Sequence, residues 1–481
     1  MTPAAVLLVA LLYAALLCGV AWLAGRRSDN AAFFTGGRRM PWLWVALGMI
    51  GAPMSGVTFV SVPGSVAADG FTYMQMVIGF TIGHFVVACG LVPLFYRMGV
   101  TSLYEYLDTR FGLTAHRSGA ALFLLSKTIL SALKLYVVCI VLQRLVCAPL
   151  GIPFALNAVL TVALVWGFTR RGGVRSVVWT DVLQTLCLVS AVGVTVTLLS
   201  RTLYGSVAEA FETVFRSPYA RTFVFHDPLS ARSFGKMVVA GTFVLVGMTG
   251  LDQDMMQRNL SCRTLRGAQR NILLAALCQA AVIQLLLVLG ALLYLYSDAT
   301  GLLLPERGDE VFTAVAVGGG LPPVVGILFV LGLVSSTWAA AGSALTALTT
   351  SCIYDMMHGR QLDGEPLRRL RHRVHALLAL GMLGLIFLFS QVANDSVINL
   401  VYRVIGYTYG PILGLFAFGM LTRRPVDDRR VPWVCVAAPL LSAGLQTAVL
   451  RTTGYAIGFE LIVYNALLTA AGLAILKRHE K

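Results

Sequence analysis

Three consecutive hydroxyl residues, Ser335, Ser336 and Thr337, lie inside the apolar stretch VLGLVSSTWAAAGSALTALTTSCIYD at residues 330–355. A hydroxyl in hydrocarbon needs a partner for its dipole. A small hard cation is one such partner, because it takes the oxygen lone pairs and adds no protein charge. The helix itself is another, since Ser and Thr in membrane helices donate back to the carbonyl four residues earlier. Both uses stay open on this segment alone. Four ionisable residues share the same predicament. Asp181, in WTDVLQ, sits about one and a half turns inside the end of its apolar run. Lys127 and Lys134 are separated by two helical turns within 119–147, so they share nearly one face. Arg403, in VINLVYRVIGYTYGP, is about two turns inside its own run. An ionised group at such depth is costly and marks function by default. At about 1.5 Å of rise per residue, Lys127 and Asp181 reach similar depth, which predicts a Lys127–Asp181 pair. The alternative is that Lys127 snorkels to the inner interface. Lys134 is too deep for that. Arg403 either faces a solute or bonds backbone carbonyls near Gly406 and Pro411. Two deep cations with no second carboxylate predict an anionic solute.

The elements that must position these groups follow from composition. Of the 481 residues, 57% are apolar and 12% charged, and mean hydropathy is +0.79, values that belong to an integral membrane protein. Apolar runs of membrane-spanning length recur throughout. The reading is thirteen: 3–24, 43–67, 72–96, 119–147, 152–169, 176–200, 234–254, 269–296, 321–352, 374–391, 396–421, 431–450 and 455–476. The net charge of +15 is not a nucleic-acid footprint. With the N-terminus outside, most Arg and Lys fall in inner loops and the tail. They include Arg26, Arg27, Arg38, Arg39, Arg110, Arg170, Arg171, Arg258, Arg263, Arg360, Arg368, Arg371, Arg424, Lys477, Arg478 and Lys481. Only a few, such as Arg216, Arg221, Arg232 and Arg307, fall opposite. That asymmetry predicts N-terminus out and C-terminus in.

The first run has no positive n-region and is followed by Arg26 and Arg27, so it reads as a retained helix. Nine cysteines without a CxxC indicate neither a disulfide framework nor zinc. There is no Walker A motif for ATP, and the longest loop, 201–233, is too short for its own core. Two runs are interrupted. The second carries Gly48, Gly51, Pro53 and Gly56 at its middle, which frees backbone carbonyls near Gly51 and Met54. The seventh carries Gly241, Gly247 and Gly250. Broken helices at matching positions of two blocks, 43–200 and 234–421, point to an inverted-repeat transporter with a midplane site; close packing through small residues is the other reading.

Several segments resemble the sodium:solute symporter family, which includes sodium–glucose, sodium–proline and sialic acid transporters. GGRRMPWLWVALGMIGAPMSG looks like the family's entry into its first core helix, and TSLYEYLDTRFG like its inner loop. GGVRSVVWTDVLQ resembles the GG…AV.WTD..Q signature and GLDQDMMQR the G.NQ...QR signature, with Asp252 in place of Asn. The likeness runs the length of the chain. It implies an all-α LeuT-type fold of inverted five-helix repeats with flanking helices. The blocks would be an extra helix at 1–30, repeats at 43–200 and 234–421, and two C-terminal helices with a short tail at 431–481. It also implies a sodium ion held by the carbonyls of Gly51, Met54 and Leu333 and the hydroxyls of Ser336 and Thr337, with Ser335 facing elsewhere.

In sialic acid transporters the motif aspartate, here Asp181, helps to hold a second sodium. Ala339 and Ala340 lack the hydroxyls that would join it, so one sodium per cycle is expected, with Lys127 in the place of the second ion. Thr58, Gln75, Lys134, Arg403 and Tyr407 are the expected solute-binding residues, with Tyr409 a further pocket or gate group. Pro53, Leu245 and Met248 stand where relatives carry polar or aromatic groups, which favours a carboxylate such as a monocarboxylate or acidic sugar over a neutral sugar or amino acid. A non-transporting sensor on the same fold would carry a signalling domain, and only KRHEK follows the last run. The expected function is therefore sodium-coupled import of a small organic anion by alternating access, with no enzymatic activity. The expected partners are solute, sodium and lipid, not nucleic acid, and no oligomeric state is read from the sequence. The expected location is the bacterial cytoplasmic membrane.

Overall fold

The computed structural model describes residues 2–26, 29–38, 40–357, 361–392, 397–455 and 457–476. Arg27, Arg39, Arg360, Lys477, Arg478 and Lys481, counted above as inner-side charges, lie outside the described residues. Among the described residues the chain is helical, with one isolated bridge between Met40 and Cys262. Helix α1 spans Pro3–Gly25, with Thr2 accepting from the Ala5 N–H as its cap and Pro3 in the first turn, where a missing N–H costs nothing. Helices α2 (Trp42–Gly51) and α3 (Gly56–Gly64) are one run bent by 50°. Then come α4 (Tyr73–Met98), α5 (Leu113–Cys147), α6 (Phe154–Thr169) and α7 (Gly173–Tyr204). Helices α8 (Phe234–Gly250) and α9 (Gln253–Leu260) form a second bent run, turning by 63°. Further along are α10 (Leu265–Thr300), α11 (Gly308–Gly318), α12 (Pro323–Met356), α13 (Gly364–Val392), α14 (Val397–Leu421), α15 (Val431–Thr453) and α16 (Leu461–Ile475), with short helices between some of these elements.

Nine of these helices are long and apolar enough to cross a membrane, and eleven spans result if each bent pair counts as one. Helices α6 and α16, with 16 and 15 residues, are apolar but fall short of the roughly 20 residues that cross a bilayer directly. The expected thirteen spans are therefore met by length for eleven. The protein is a multi-pass membrane protein. Large apolar side chains such as Leu11, Leu377, Leu380, Trp433 and Leu440 are exposed on α1, α13 and α15, a surface that lipid covers at no hydrophobic cost.

Helix α12 is the axis of the molecule. Every residue from Gly332 to Ser351 is buried, and the run AAAGSA lets neighbouring helices approach closely. Helix α7 packs along α12 on one side and against α2 on the other, and α3 also touches α12. These contacts bring WTDVLQ, the bend at 51–56 and the hydroxyl triplet into one neighbourhood. A second close pair, α4 and α8, is set by glycines. A Cβ on Gly79 would strike the Val238 carbonyl and one on Gly241 the Met76 carbonyl, so only glycine permits this spacing.

Candidate functional site

The first bend arises where the sequence removes helix bonds. Helix α2 ends at Gly51, Pro53 supplies no N–H, and Ser55 is extended at φ −86°, ψ 173° before α3 begins. The Gly51 carbonyl accepts from the Met54 N–H at 2.9 Å. It also accepts from Nε2 of Gln184 on α7 at 2.9 Å, and the same amide reaches the Met54 carbonyl at 3.4 Å. Thr185 Oγ1 accepts from the Gly51 N–H at 3.1 Å and donates to the Asp181 carbonyl at 2.9 Å, clamping the end of α2 to α7. Across the bend, Gly56 lies against α12: a Cβ there would collide with Thr337 Oγ1 and stand 3.5 Å from the Leu333 carbonyl. Ser335 donates back to the Gly332 carbonyl at 3.1 Å and Ser336 to that of Leu333 at 3.0 Å. Thr337 Oγ1 is buried with no hydrogen-bond partner. The triplet thus divides: two hydroxyls bond back along the helix, and the third points at the bend.

The charged cluster differs from the expected Lys127–Asp181 pair. Lys127 Nζ lies 2.9 Å from Asp252 Oδ2 and 2.9 Å from Asp254 Oδ2, while Asp181 Oδ2 lies 3.1 Å from Arg258 Nε. The physical reason is the second bend. Asp252 caps α9, accepting from the N–H groups of Asp254 and Met255, and the one-turn spacing of Asp254 and Arg258 gives a 3.0 Å ion pair on the helix face turned inward. Counting depth along single helices cannot see two carboxylates delivered by a different, broken run. Arg258, assigned above to an inner loop, is buried, and Ser343 of α12 bonds both it and Asp254. Tyr409 on α14 donates to Asp252. The Arg258–Asp181 contact has ion-pair distance without hydrogen-bond alignment, so both Asp181 oxygens lack a donor. The internal cation beside Asp181 is therefore Arg258 rather than Lys127.

Beside this cluster is a central cavity of about 90 Å³. Its walls include Pro53, Met54, Ser55 and Thr58 from the first bend, Lys127 and Lys134 from α5, Leu245 and Met248 from α8, Gln279 from α10 and Tyr402 from α14. Lys134 has no ion-pair or hydrogen-bond partner among the described residues. Of the five expected solute-binding residues, Thr58 and Lys134 line this cavity and three do not. Gln75 instead holds the loop before α8, donating to the Arg232 carbonyl at 2.9 Å and accepting from the Val224 N–H at 3.0 Å. Tyr407 donates to Gln446 Oε1 of α15 at 2.8 Å, on the far side of its helix. Arg403 is exposed and lines neither cavity. One helical face decides these corrections: on α14 the cavity-facing positions are Val401, Tyr402 and Ile405, whereas Arg403 and Tyr407 lie on other faces.

Above the central cavity is a vestibule of about 580 Å³. Tyr73 lines both spaces, and its hydroxyl meets that of Tyr402 at 2.6 Å. Phe459 packs on Tyr402 with ring centroids 4.6 Å apart, and Arg232, paired with Asp69, lies over Phe459 at 5.2 Å. Tyr73 and Tyr402 thus stand between the two spaces. The opposite side is stitched through the 101–112 segment. Gln253 accepts from the Leu103 N–H at 3.0 Å and donates to the Thr101 carbonyl at 2.9 Å. Asp355 gathers Ser102, Ser351 and His116, at 2.8, 2.6 and 2.9 Å. Arg110 donates to the carbonyls of Gly419 and Thr422, at 3.0 and 2.8 Å.

Sequence reading missed Arg258, Asp254, Gln184, Tyr73 and Tyr402. The one-turn Asp254/Arg258 spacing was a legible signal for the first two; nothing in the order of residues marks the two tyrosines as neighbours.

Residues 33–427 match the profile described as "SSF: Sodium:solute symporter family". The human sodium/iodide cotransporter is 28% identical over 412 residues, covering 82% of this chain and 62% of that protein. The sodium-coupled monocarboxylate transporter 1 of Xenopus laevis is 26% identical over 419 residues, covering 83% and 64%. The chain thus spans less than two thirds of the length of these curated relatives. A solved structure of a substrate-bound, outward-open sodium-coupled sialic acid symporter superposes with a TM-score of 0.83 at 18% identity, covering 98% of this chain and 97% of the other. That likeness gives the fold, the LeuT type, and nothing further. With most of its length matched in order, from the first bend through the two signature segments, the chain belongs to the sodium:solute symporter family.

Proposed function

We propose that the protein is a secondary transporter that imports a small organic anion together with sodium by alternating access. The observation that carries the anion is Lys134, an ammonium with no ion-pair or hydrogen-bond partner among the described residues, lining a cavity at the bend of a broken helix. A carboxylate bound there would meet a charge-assisted donor in a low-dielectric space, while the apolar walls at Leu245, Met248 and Ile405 would take its carbon skeleton. The relatives are named for iodide and for monocarboxylates, both small anions, and for sodium. Sodium would bind at the carbonyls of Gly51, Met54 and Leu333 and the hydroxyls of Ser336 and Thr337. Ser336, donating its O–H to the Leu333 carbonyl, keeps its lone pairs for a cation, and Thr337 Oγ1 is a buried oxygen with no partner among the described residues.

One sodium per cycle is our reading, because Arg258 already supplies the positive charge beside Asp181. The Tyr73–Tyr402 partition is the outer gate, and the two bent runs open the repeats at 43–200 and 234–421. Charge placement supports N-terminus out and C-terminus in, and the membrane we propose is a bacterial cytoplasmic one.

Uptake of labelled short-chain carboxylates, iodide and neutral sugars into proteoliposomes, with and without an inward sodium gradient, tests the reading. Sodium-stimulated uptake of an anion is expected; uptake of every solute without sodium dependence would defeat it. Thr337→Ala is expected to raise the half-saturating sodium concentration by about tenfold or more, the scale of a charge-assisted contact. Ser335→Ala should leave it within about twofold, since its hydroxyl bonds its own helix. The reverse ranking would put the ion on the other face of α12.

A further inference from the structure

Gln184 sits where the sodium reading needs space. Its side chain is fully buried, and its Nε2 donates to two of the five oxygens assigned to the ion, those of Gly51 and Met54. The Gly51 carbonyl also accepts from the Met54 N–H, so both of its lone pairs are engaged. A cation approaching that oxygen would meet an amide NH₂ carrying partial positive charge. Meanwhile Gln184 Oε1 is buried with no partner, as is Thr337 Oγ1 across the bend. A buried amide with one end bonded and the other orphaned is costly to keep, and orphaned polar groups of this kind call for a second arrangement in which they are satisfied.

We propose that Gln184 is the built-in occupant of the ion site. In the empty carrier its amide caps the carbonyls of Gly51 and Met54, and sodium binds by displacing it. This rests on the sodium assignment above and goes beyond it by giving the empty state a defined structure. The freed carbonyls of a broken helix cannot stay bare in a dry interior, so a carrier that must cross its cycle unloaded needs a substitute donor. An amide is suited to that role. It is neutral, it donates as the ion attracts, and its bonds are weak enough for sodium to replace. Its fixture on α7, one residue before the Thr185 clamp, keeps it within reach of the bend. Competition from the amide then lowers the apparent sodium affinity below what the five oxygens alone would give.

The test measures sodium binding to the purified full-length chain, by radioactive sodium or by the sodium dependence of its melting. Gln184→Met keeps length and approximate volume but cannot donate, so the empty state loses its cap on the Gly51 and Met54 carbonyls. The half-saturating sodium concentration is expected to fall roughly five- to tenfold, the effect of one neutral hydrogen bond. Gln184→Leu, likewise unable to donate and uncharged, should lower it similarly, and decides the matter if the methionine variant does not fold. An unchanged or raised value overturns the proposal; a raised value would make Gln184 a ligand through Oε1 instead. If the unaltered protein binds no sodium, the sodium assignment itself falls. If it does bind and the variants match it, only the role of Gln184 falls.

Discussion

Lys134→Met is expected to weaken binding of the transported anion by about 100-fold while leaving the protein folded. A hydrogen bond to a charged group contributes about 1.5–3 kcal/mol, and each 1.4 kcal/mol is a factor of about ten in affinity. Both terms act here, because Lys134 combines charge and donor in a small cavity and has no ion-pair or hydrogen-bond partner among the described residues to leave stranded. Methionine fills similar space with an apolar chain. The substitution also alters the local charge balance. Asp181, Asp252 and Asp254 face Lys127, Arg258 and Lys134, three against three. Removing one cation leaves an excess of negative charge, so sodium affinity should rise as anion affinity falls. Solute titration at saturating sodium, and sodium titration without solute, read the two arms separately. Equal loss of both would indicate a collapsed structure rather than a missing counter-ion.

The second large effect is expected at Arg258. Arg258→Met should destabilise the protein by about 3–5 kcal/mol, the usual cost of stranding a buried partner. Asp254 would keep Lys127 and Ser343, but Asp181 would lose its ion-pair partner. Adding Asp181→Asn to the same chain should recover much of the loss, because an empty pair costs far less than half a pair. Thermal unfolding in detergent measures both. The single variant carries a further consequence: with Asp181 bare, sodium itself becomes the available counter-ion, and added sodium should raise the melting temperature of Arg258→Met more than that of the unaltered chain. Equal sodium responses would show that Arg258 does not stand in for a second ion.

Much of this protein was legible in order alone. Apolar runs, the Gly/Pro interruption at 48–56 and the signature segments carried the class, the fold and the location of the first bend. These signals are local: bilayer-length hydrophobicity, a missing N–H, or a motif read within one element. The corrections concern how elements meet. Lys127 and Asp181 were matched by depth along separate helices, yet depth omits rotation, and rotation about α5 turned Lys127 toward α9. Arg403 and Tyr407 sit on a helix that does line the cavity, but on faces turned away from it.

What the sequence by itself determined is therefore the inventory: a multi-pass membrane protein, a broken helix with free carbonyls, a hydroxyl triplet, and a few ionisable groups too deep to be accidental. Only the tertiary structure decided the pairing. Among the described residues it selected Thr337 over Ser335 and Ser336 as the hydroxyl with nothing else to bind, gave Asp181 to Arg258, left Lys134 without an ion-pair or hydrogen-bond partner, and set Gln184 on the two carbonyls of the bend. Each of these depends on which face of one helix meets which face of another. Side-chain periodicity fixes the faces, but the packing of α7, α12 and the two bent runs fixes their encounter.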